Sequence, residues 1–315
     1  MKIVLLESLA VSAEVLASYA EKLEKAGHSF ISYEKNTDPA VMIERAKDAD
    51  IIMIANMPLP GEVIRACKNL KFIDVAFTGV DHVDIAAAKE CGVKVSNAAG
   101  YSNEAVAEVA LCMMLAVLRN VPQVDARCRE GKTKDGLVGR ELRGKTVGIV
   151  GCGAIGKQVA AICHAFGCKI IGYEPNLAAH TVEYIEYIEL DELMARADIV
   201  TIHCPLMDST RGLISRERIA LMKKRGILIN CARGPIVDMP ALADALNSGA
   251  IEGAGVDVYE VEPPLPLDHP LLNCKNIIVT PHIAFASDES MEARAEIVFH
   301  SLDCFMEGNQ INVIL

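Results

Sequence analysis

Short apolar runs alternate with amphipathic helical stretches along nearly the whole chain. The first runs, at positions 2–7, 30–33, 50–55, 72–77 and 93–96, are four to six residues long. Their Ile, Val and Phe content is the mark of strands buried on both faces. Helical patterns near 12–25, 41–46, 62–67 and 85–90 separate them, so a βαβ rhythm and an open parallel sheet are expected. From 102 to about 129 a longer helical stretch interrupts the rhythm, with a break expected at Pro122. A second series starts at 145–150 and recurs at 169–173, 197–202, 226–230, 253–258 and 276–280, again with helices between, which predicts a second doubly wound sheet. The final helical segment, 287 to about 307, is expected to return to the first domain. That places one domain at 1–98 plus 286–315 and the other at 99–285.

With 315 residues the chain is longer than one hydrophobic core ordinarily supports, in agreement with two domains. Lys and Arg number 31 against 42 Asp and Glu, a formal net charge of −11. A surface of that sign repels nucleic acid and anionic membrane, so neither is expected as a partner. The opening run Met1-Lys2-Ile3-Val4-Leu5-Leu6 ends in Glu7 and reads as a first strand rather than a targeting segment. Eleven scattered cysteines, with no Cys-x-x-Cys pair or zinc-like His/Cys spacing, predict reduced thiols, a cytoplasmic setting and no metal site.

The strand at 147–150 runs directly into Gly151-Cys152-Gly153-Ala154-Ile155-Gly156 and then a helical pattern. A G-x-G-x-x-G in that context is the Rossmann fingerprint. Gly151 permits a tight turn, Gly153 lets backbone approach a pyrophosphate, and Gly156 allows close helix-strand packing. The helix N-terminus adds N–H donors and a positive dipole. The next strand ends at Glu174, where a carboxylate suits the adenosine ribose hydroxyls, and no cation follows it in Pro175, Asn176 or Leu177. NAD is therefore expected rather than NADP.

Three polar residues follow successive apolar strands of the second series: Arg233, Glu262 and His282. Ligands bind at the carboxyl edge of open α/β sheets, so these side chains can converge beside a nicotinamide ring. Reducing a 2-oxo acid needs a cation for the carboxylate and a proton for the carbonyl oxygen. Arg233 offers a bidentate clamp. The imidazole of His282 exchanges a proton near neutral pH, and the neighbouring Glu262 favours its protonated form, with Glu260 a competing candidate for that role.

With these residues in view, the chain closely resembles the D-isomer-specific 2-hydroxyacid dehydrogenase family over essentially its whole length. The matching segments run in order: Thr78-Gly79-Val80-Asp81-His82-Val83-Asp84, Asn97 to Glu108, the glycine loop, His203-Cys204-Pro205-Leu206, Asn230 to Gly234, Asp257-Val258-Tyr259 with Glu262-Pro263, and Thr280-Pro281-His282-Ile283-Ala284. The wording at Tyr101-Ser102 resembles glycerate dehydrogenases and hydroxypyruvate reductases. The resemblance implies a Rossmann NAD-binding domain inserted in a smaller flavodoxin-like substrate domain. It also implies a catalytic trio of Arg233, Glu262 and His282, and a dinucleotide site lined by Ala154, Ile155, Glu174, His203, Cys204, Pro205, Thr210, Cys231, Ala232, Asp257, His282 and Ala284. Thr78 and Gly79 would bind the substrate carboxylate through backbone N–H groups, Asn56 a substrate hydroxyl, and Arg233 and His282 the acid itself. A homodimer and hinges near 98–101 and 284–287 are further implications. Two departures stand out: Glu174 replaces the usual Asp, and Ala98-Ala99-Gly100 stands where many members have Val-Pro-Gly.

Segments 54–59 and 75–80, with Tyr101, contain no Lys or Arg, so a substrate phosphate lacks a cation there. The expected substrate is an unphosphorylated acid such as hydroxypyruvate, glyoxylate or a short 2-oxo acid. The alternatives are a phosphoglycerate dehydrogenase and an NADH-sensing, corepressor-like binding protein.

Overall fold

The computed structural model describes all residues except 178–180 and 262–263; Glu262 therefore lies outside the described residues. In chain order the elements begin β1 (Lys2–Leu5), α1 (Ala13–Lys25), β2 (Ser29–Ser32), α2 (Pro39–Ala46), β3 (Ile51–Ile54), α3 (Gly61–Ala66), β4 (Phe72–Val75), α4 (Ile85–Glu90) and β5 (Lys94–Asn97). They continue α5 (Asn103–Leu118), α6 (Val121–Arg129), β6 (Thr146–Val150), α7 (Ala154–Ala165), β7 (Lys169–Tyr173), β8 (Ile185–Tyr187), α8 (Leu190–Arg196), β9 (Ile199–Ile202), α9 (Arg216–Leu221), β10 (Ile227–Asn230), α10 (Met239–Ser248), β11 (Gly253–Val256), β12 (Ile277–Val279) and α11 (Asp288–Met306). Contacts divide the chain into unit 1, Met1–Ser102 with Ala286–Leu315, and unit 2, Asn103–Phe285.

Unit 1 is built on a five-stranded sheet of order β2-β1-β3-β4-β5, with every pairing parallel. Three of its helices start where the sequence provides caps: Ser12 accepts from Val15 N–H, Asp38 from Ala40 N–H ahead of Pro39, and Asp84 from Ala87 N–H. The closing helix α11 begins with a reciprocal capping box between Ser287 and Ser290. Its inner face buries Met291, Ala295, Val298, Phe299 and Leu302, and Phe299 stacks on Tyr19 at 4.0 Å while Phe305 stacks on Phe72 at 4.1 Å. Beyond the helix, the last residues cover the open edge of β5. Val95 donates its N–H to Leu315 O and accepts from Ile314 N–H, Ser96 pairs antiparallel with Val313, and Ser96 Oγ donates to Ile311 O at 2.6 Å.

Unit 2 has seven parallel strands in the order β12-β11-β10-β9-β6-β7-β8. One face packs against α5 and α7 through Met113, Met114, Val117, Val159 and Cys163. The other packs against α8, α9 and α10 through Leu193, Ile219, Leu242 and Leu246. After β6 the chain winds one way to β7 and β8, and β9 then returns to the opposite side of β6. The carboxyl ends of β6 and β9 thus form a topological switch point, where an α/β sheet opens a crevice.

Two expectations change. The helix break precedes Pro122: Asn120 takes a left-handed conformation (φ 53°), the axis bends by 63°, and Pro122 sits in the first turn of α6, where its missing N–H is harmless. Strand β8 was not anticipated, because Ile185-Glu186-Tyr187 is a three-residue edge strand too short to show a period. No single described helix is long and apolar enough to cross a membrane.

Asp74, in the middle of β4, is fully buried; its Oδ1 accepts from Ser301 Oγ on α11 at 3.2 Å, and its Oδ2 has no partner among the described residues. Burial pushes this carboxyl well above the usual carboxylate range. The folded chain therefore keeps the proton that the unfolded chain releases near pH 4, and stability falls as pH rises above that value by about 1.4 kcal/mol per unit. Since an amide does not titrate, the melting temperature of Asp74→Asn relative to the native chain should climb between pH 5 and pH 8. Parallel melting curves across that range would show that the Asp74 carboxyl ionises normally.

Candidate active site

The glycine loop follows β6 at the switch point. Gly151 has φ +92°, and a Cβ there would lie 2.6 Å from the backbone nitrogen of Cys204, so the turn presses directly against the loop leaving β9. A Cβ on Gly156 would stand 2.1 Å from the Gly151 carbonyl oxygen, which enforces the close passage of α7 over the turn. Gly153 differs: a Cβ there meets nothing within 4 Å. It is the residue that caps the twelve-residue helix α7, and no side-chain hydrogen bond satisfies that terminus among the described residues. Open space above free N–H groups and a positive helix end is what a pyrophosphate requires. Glu174, at the end of β7, folds back on this loop, accepting from Cys152 N–H at 3.0 Å and Asn176 N–H at 3.1 Å. Its carboxylate thereby stands beside the turn, as ribose binding demands. Ala154 and Ile155 open α7 next to it.

His203, Cys204 and Pro205 lie on the opposite wall of the switch point. The His203 ring is tied to Thr201 Oγ1 at 2.8 Å, and burial pulls its pKa down to about 3, so the imidazole is neutral and adds no charge to the crevice. Burial also pushes the Cys204 thiol up to about 11. Thr210 shapes the rest of this loop by donating to Pro205 O at 2.7 Å and accepting from Met207 N–H at 2.8 Å.

The strand register aligns Asn230 with Val256 and Val256 with Val279. Arg233, Tyr259 and His282 each stand three residues beyond that row, on loops leaving three consecutive strands. Adjacent strands are about 4.8 Å apart, so backbones two strands apart are separated by about 10 Å, a gap that an Arg and a His side chain extended toward each other can close. Asn230 is fully buried and sets the Arg233 loop: its Nδ2 donates to Arg233 O at 3.0 Å and its Oδ1 accepts from Ala232 N–H at 3.0 Å. A Cβ on Gly234 would fall 1.9 Å from the Tyr259 carbonyl carbon, so the loops after β10 and β11 touch backbone to backbone. Cys231 is buried against Met113, and burial pushes its thiol up.

His282 has φ +56°, a left-handed conformation uncommon outside glycine. Asp257 enforces it. Its fully buried carboxylate accepts from Thr280 Oγ1 at 2.5 Å, Ile283 N–H at 2.8 Å and Ala284 N–H at 2.9 Å, while its own carbonyl accepts from His282 N–H at 2.8 Å. The half-buried imidazole meets Phe285 edge-on at 5.2 Å. The Tyr259 hydroxyl adds a further bolt by donating to the carbonyls of Val256 and Thr280. Glu260, the rival acid, is exposed and pairs with His269 at 3.3 Å. Asn230, Thr280 and Tyr259 had not been singled out as functional residues, and Asp257 had been named only as lining the cofactor. Their roles are in fixing backbone, and that follows from contacts up to 27 positions apart.

In unit 1 the residues named for the acid also occupy loops at the carboxyl edge. Asn56 lies between two residues, Ala55 and Met57, whose N–H groups both bind Glu7 Oε2. The Thr78 carbonyl accepts from Asn97 Nδ2 at 2.6 Å, which ties the loop bearing Gly79 to the end of β5.

A cradle fitted to a pyrophosphate, with a guanidinium and an imidazole on strand ends two apart in the same sheet, is the equipment of a nicotinamide-dependent oxidoreductase. The pattern defining the NAD binding domain of D-isomer specific 2-hydroxyacid dehydrogenases matches residues 111–284. The chain is 37% identical over 305 residues to a hydroxypyruvate reductase of Blautia hydrogenotrophica, with 93% of each chain covered. It is 41% identical over 272 residues to a D-3-phosphoglycerate dehydrogenase of Methanocaldococcus jannaschii, covering 85% of this chain and 52% of that one, so it spans about half of that relative. Among solved structures, D-lactate dehydrogenase from Aquifex aeolicus complexed with NAD and lactic acid superposes with a TM-score of 0.86 at 29% identity, covering 98% of this chain and 96% of the other. The chain belongs to the D-isomer specific 2-hydroxyacid dehydrogenase family, and its cofactor is NAD.

The glycine loop allows a paired test. Gly153→Ala adds a methyl that clashes with nothing in the empty loop, so it should melt like the native chain yet bind NADH at least about tenfold more weakly by fluorescence titration. Gly156→Ala drives a Cβ into a backbone oxygen and should lower the melting temperature as well. Equal NADH affinity in Gly153→Ala and the native chain would move the pyrophosphate elsewhere.

Proposed function

We propose that the chain interconverts a small unphosphorylated 2-oxo acid and its D-2-hydroxy acid, with hydroxypyruvate and glyoxylate as the leading substrates. NAD is assigned to unit 2, and the family resemblance assigns Asn56, Thr78 and Gly79 to recognition of the acid. The observation that carries this reading is the matched placement of Arg233 and His282, each three residues beyond one register row, with His282 held in its strained turn by Asp257.

Bound NADH supplies a hydride to the carbonyl carbon. Arg233 grips the substrate carboxylate through its planar fork, which fixes the face of the carbonyl presented to the nicotinamide. A ring nitrogen of His282 gives its proton to the carbonyl oxygen, leaving a neutral imidazole and the hydroxy acid; in the oxidative direction the same nitrogen takes the proton back. Glu262, the acid that the family resemblance implies, is assigned to stabilise the protonated ring.

The substrate class is supported by the hydroxypyruvate reductase relative and by the absence of Lys and Arg from 54–59 and 75–80. The identity to a phosphoglycerate dehydrogenase favours 3-phosphohydroxypyruvate as the second reading. Eleven free cysteines suit a reducing cytoplasm, and α6, which buries none of its residues, offers a face to a second copy in a homodimer.

NADH oxidation measured against hydroxypyruvate, glyoxylate, phenylpyruvate, 2-oxoisocaproate and 3-phosphohydroxypyruvate should give the highest kcat/KM with one of the first two. Preference for the phosphorylated acid would transfer the assignment to the second reading. His282→Ala should cut kcat by roughly 10²–10⁴-fold with NADH affinity retained. Wild-type turnover in that variant would remove His282 as the proton donor. Glu174 repels a ribose phosphate, so kcat/KM should be much higher with NADH than with NADPH; parity between them would refute the role given to this carboxylate.

A further inference from the structure

Side chains tie the carboxyl-edge loops of unit 1 to one another across its sheet. Glu7, 6% exposed, joins the end of β1 to the loop after β3 through Ala55 and Met57 N–H, and Lys35 pairs with its other oxygen at 3.0 Å. Asn97 joins β5 to the loop after β4. Arg294 makes the longest of these ties. It projects from α11, is 3% exposed, and donates from Nη2 to the Leu9 carbonyl after β1 at 2.6 Å. The same guanidinium is hydrogen-bonded to Tyr101 after β5 and lies 5.8 Å from the centre of its ring. Strands β3 and β4 lie between β1 and β5 in the sheet, so Arg294 spans the four-strand stretch of the edge that carries Asn56 and Thr78.

Burying a guanidinium is costly, and here it is met by a carbonyl, a phenol and the nearby charge of Glu7. The carbonyl it holds precedes Ala10, which is fixed at φ +53°, a conformation alanine seldom adopts. An ordinary core residue of α11 would pack against the sheet without reaching the strained loop after β1.

We propose that Arg294 is a positioning residue for the acid: by holding Leu9 and Tyr101 at a fixed separation it sets the room available to the substituent on carbon 3 of the 2-oxo acid. This rests on the reading of unit 1 as the side that receives the acid. Arg294 does not touch the substrate; it acts through Tyr101 and the Ser8–Val11 loop.

The test compares the full chain with Arg294→Met, Arg294→Lys, Tyr101→Phe and the Met/Phe double variant, using hydroxypyruvate and phenylpyruvate. Arg294→Met should raise KM for hydroxypyruvate about tenfold while kcat and the KM for NADH stay within about threefold, and should erase much of the discrimination between the two acids. Arg294→Lys should restore part of the affinity, and the double variant should be no worse than Arg294→Met alone. The native ranking of the two acids in Arg294→Met, matched rises in both KM values, or additive effects would overturn the proposal. If Arg294→Met fails to fold by circular dichroism, unaltered KM values in both Arg294→Lys and Tyr101→Phe do so instead. A native chain that oxidises NADH with no 2-oxo acid removes the functional reading and this inference together, whereas an active native chain with indifferent variants removes the inference alone.

Discussion

The Asp257 carboxylate is fully buried and accepts three hydrogen bonds from the turn that carries His282. Hydrogen bonds to a charged group contribute about 1.5–3 kcal/mol each, against roughly 1–3 kcal/mol for one residue held in a left-handed conformation. Three such bonds outweigh the strain, so the imidazole is presented by a turn that has no competing arrangement. Asn230 does the same for Arg233 with a neutral amide, and Gly234 brings the two loops into backbone contact. The proposed chemistry therefore depends on buried polar residues that never meet the substrate.

Legibility in the sequence follows the range of the interactions concerned. The βαβ rhythm is local and shows as apolar runs, and the glycine fingerprint is local too, since its meaning lies in six consecutive residues between a strand and a helix. Arg233 and His282 stand out as candidates because each ends an apolar run. Strand β8 escaped because Glu186 interrupts a run of only three residues, and the helix break moved to Asn120 because its left-handed turn carries no signal as strong as proline's. Arg294 escaped for a different reason. A search of the edge segments for cations finds none, while the guanidinium arrives from a helix 285 positions after the carbonyl it holds.

Unit 1 shows how polarity can be placed inside an apolar sheet. Asp74, Ser96 and Ser301 are all fully buried, with Asp74 bound to Ser301 on α11 and Ser96 bound to the tail beyond it. An unpaired polar atom in that setting costs more than a hydrogen bond gains, so these contacts specify the seat of α11 more than they strengthen it. Stability comes from the stacked rings and aliphatic residues on the same helix face.

The tail that covers β5 has a consequence for biosynthesis. Asp74 emerges from the ribosome 227 residues before Ser301, a delay of roughly ten to forty-five seconds at ordinary elongation rates. Throughout that interval the nascent first sheet exposes a bare strand edge and a face without its helix, while the contiguous unit 2 is fully synthesised once Phe285 is made, ahead of the returning helix. Newly made chains thus have an unprotected sheet edge open to intermolecular pairing, and a holdase that shields it until termination would raise the yield of native protein.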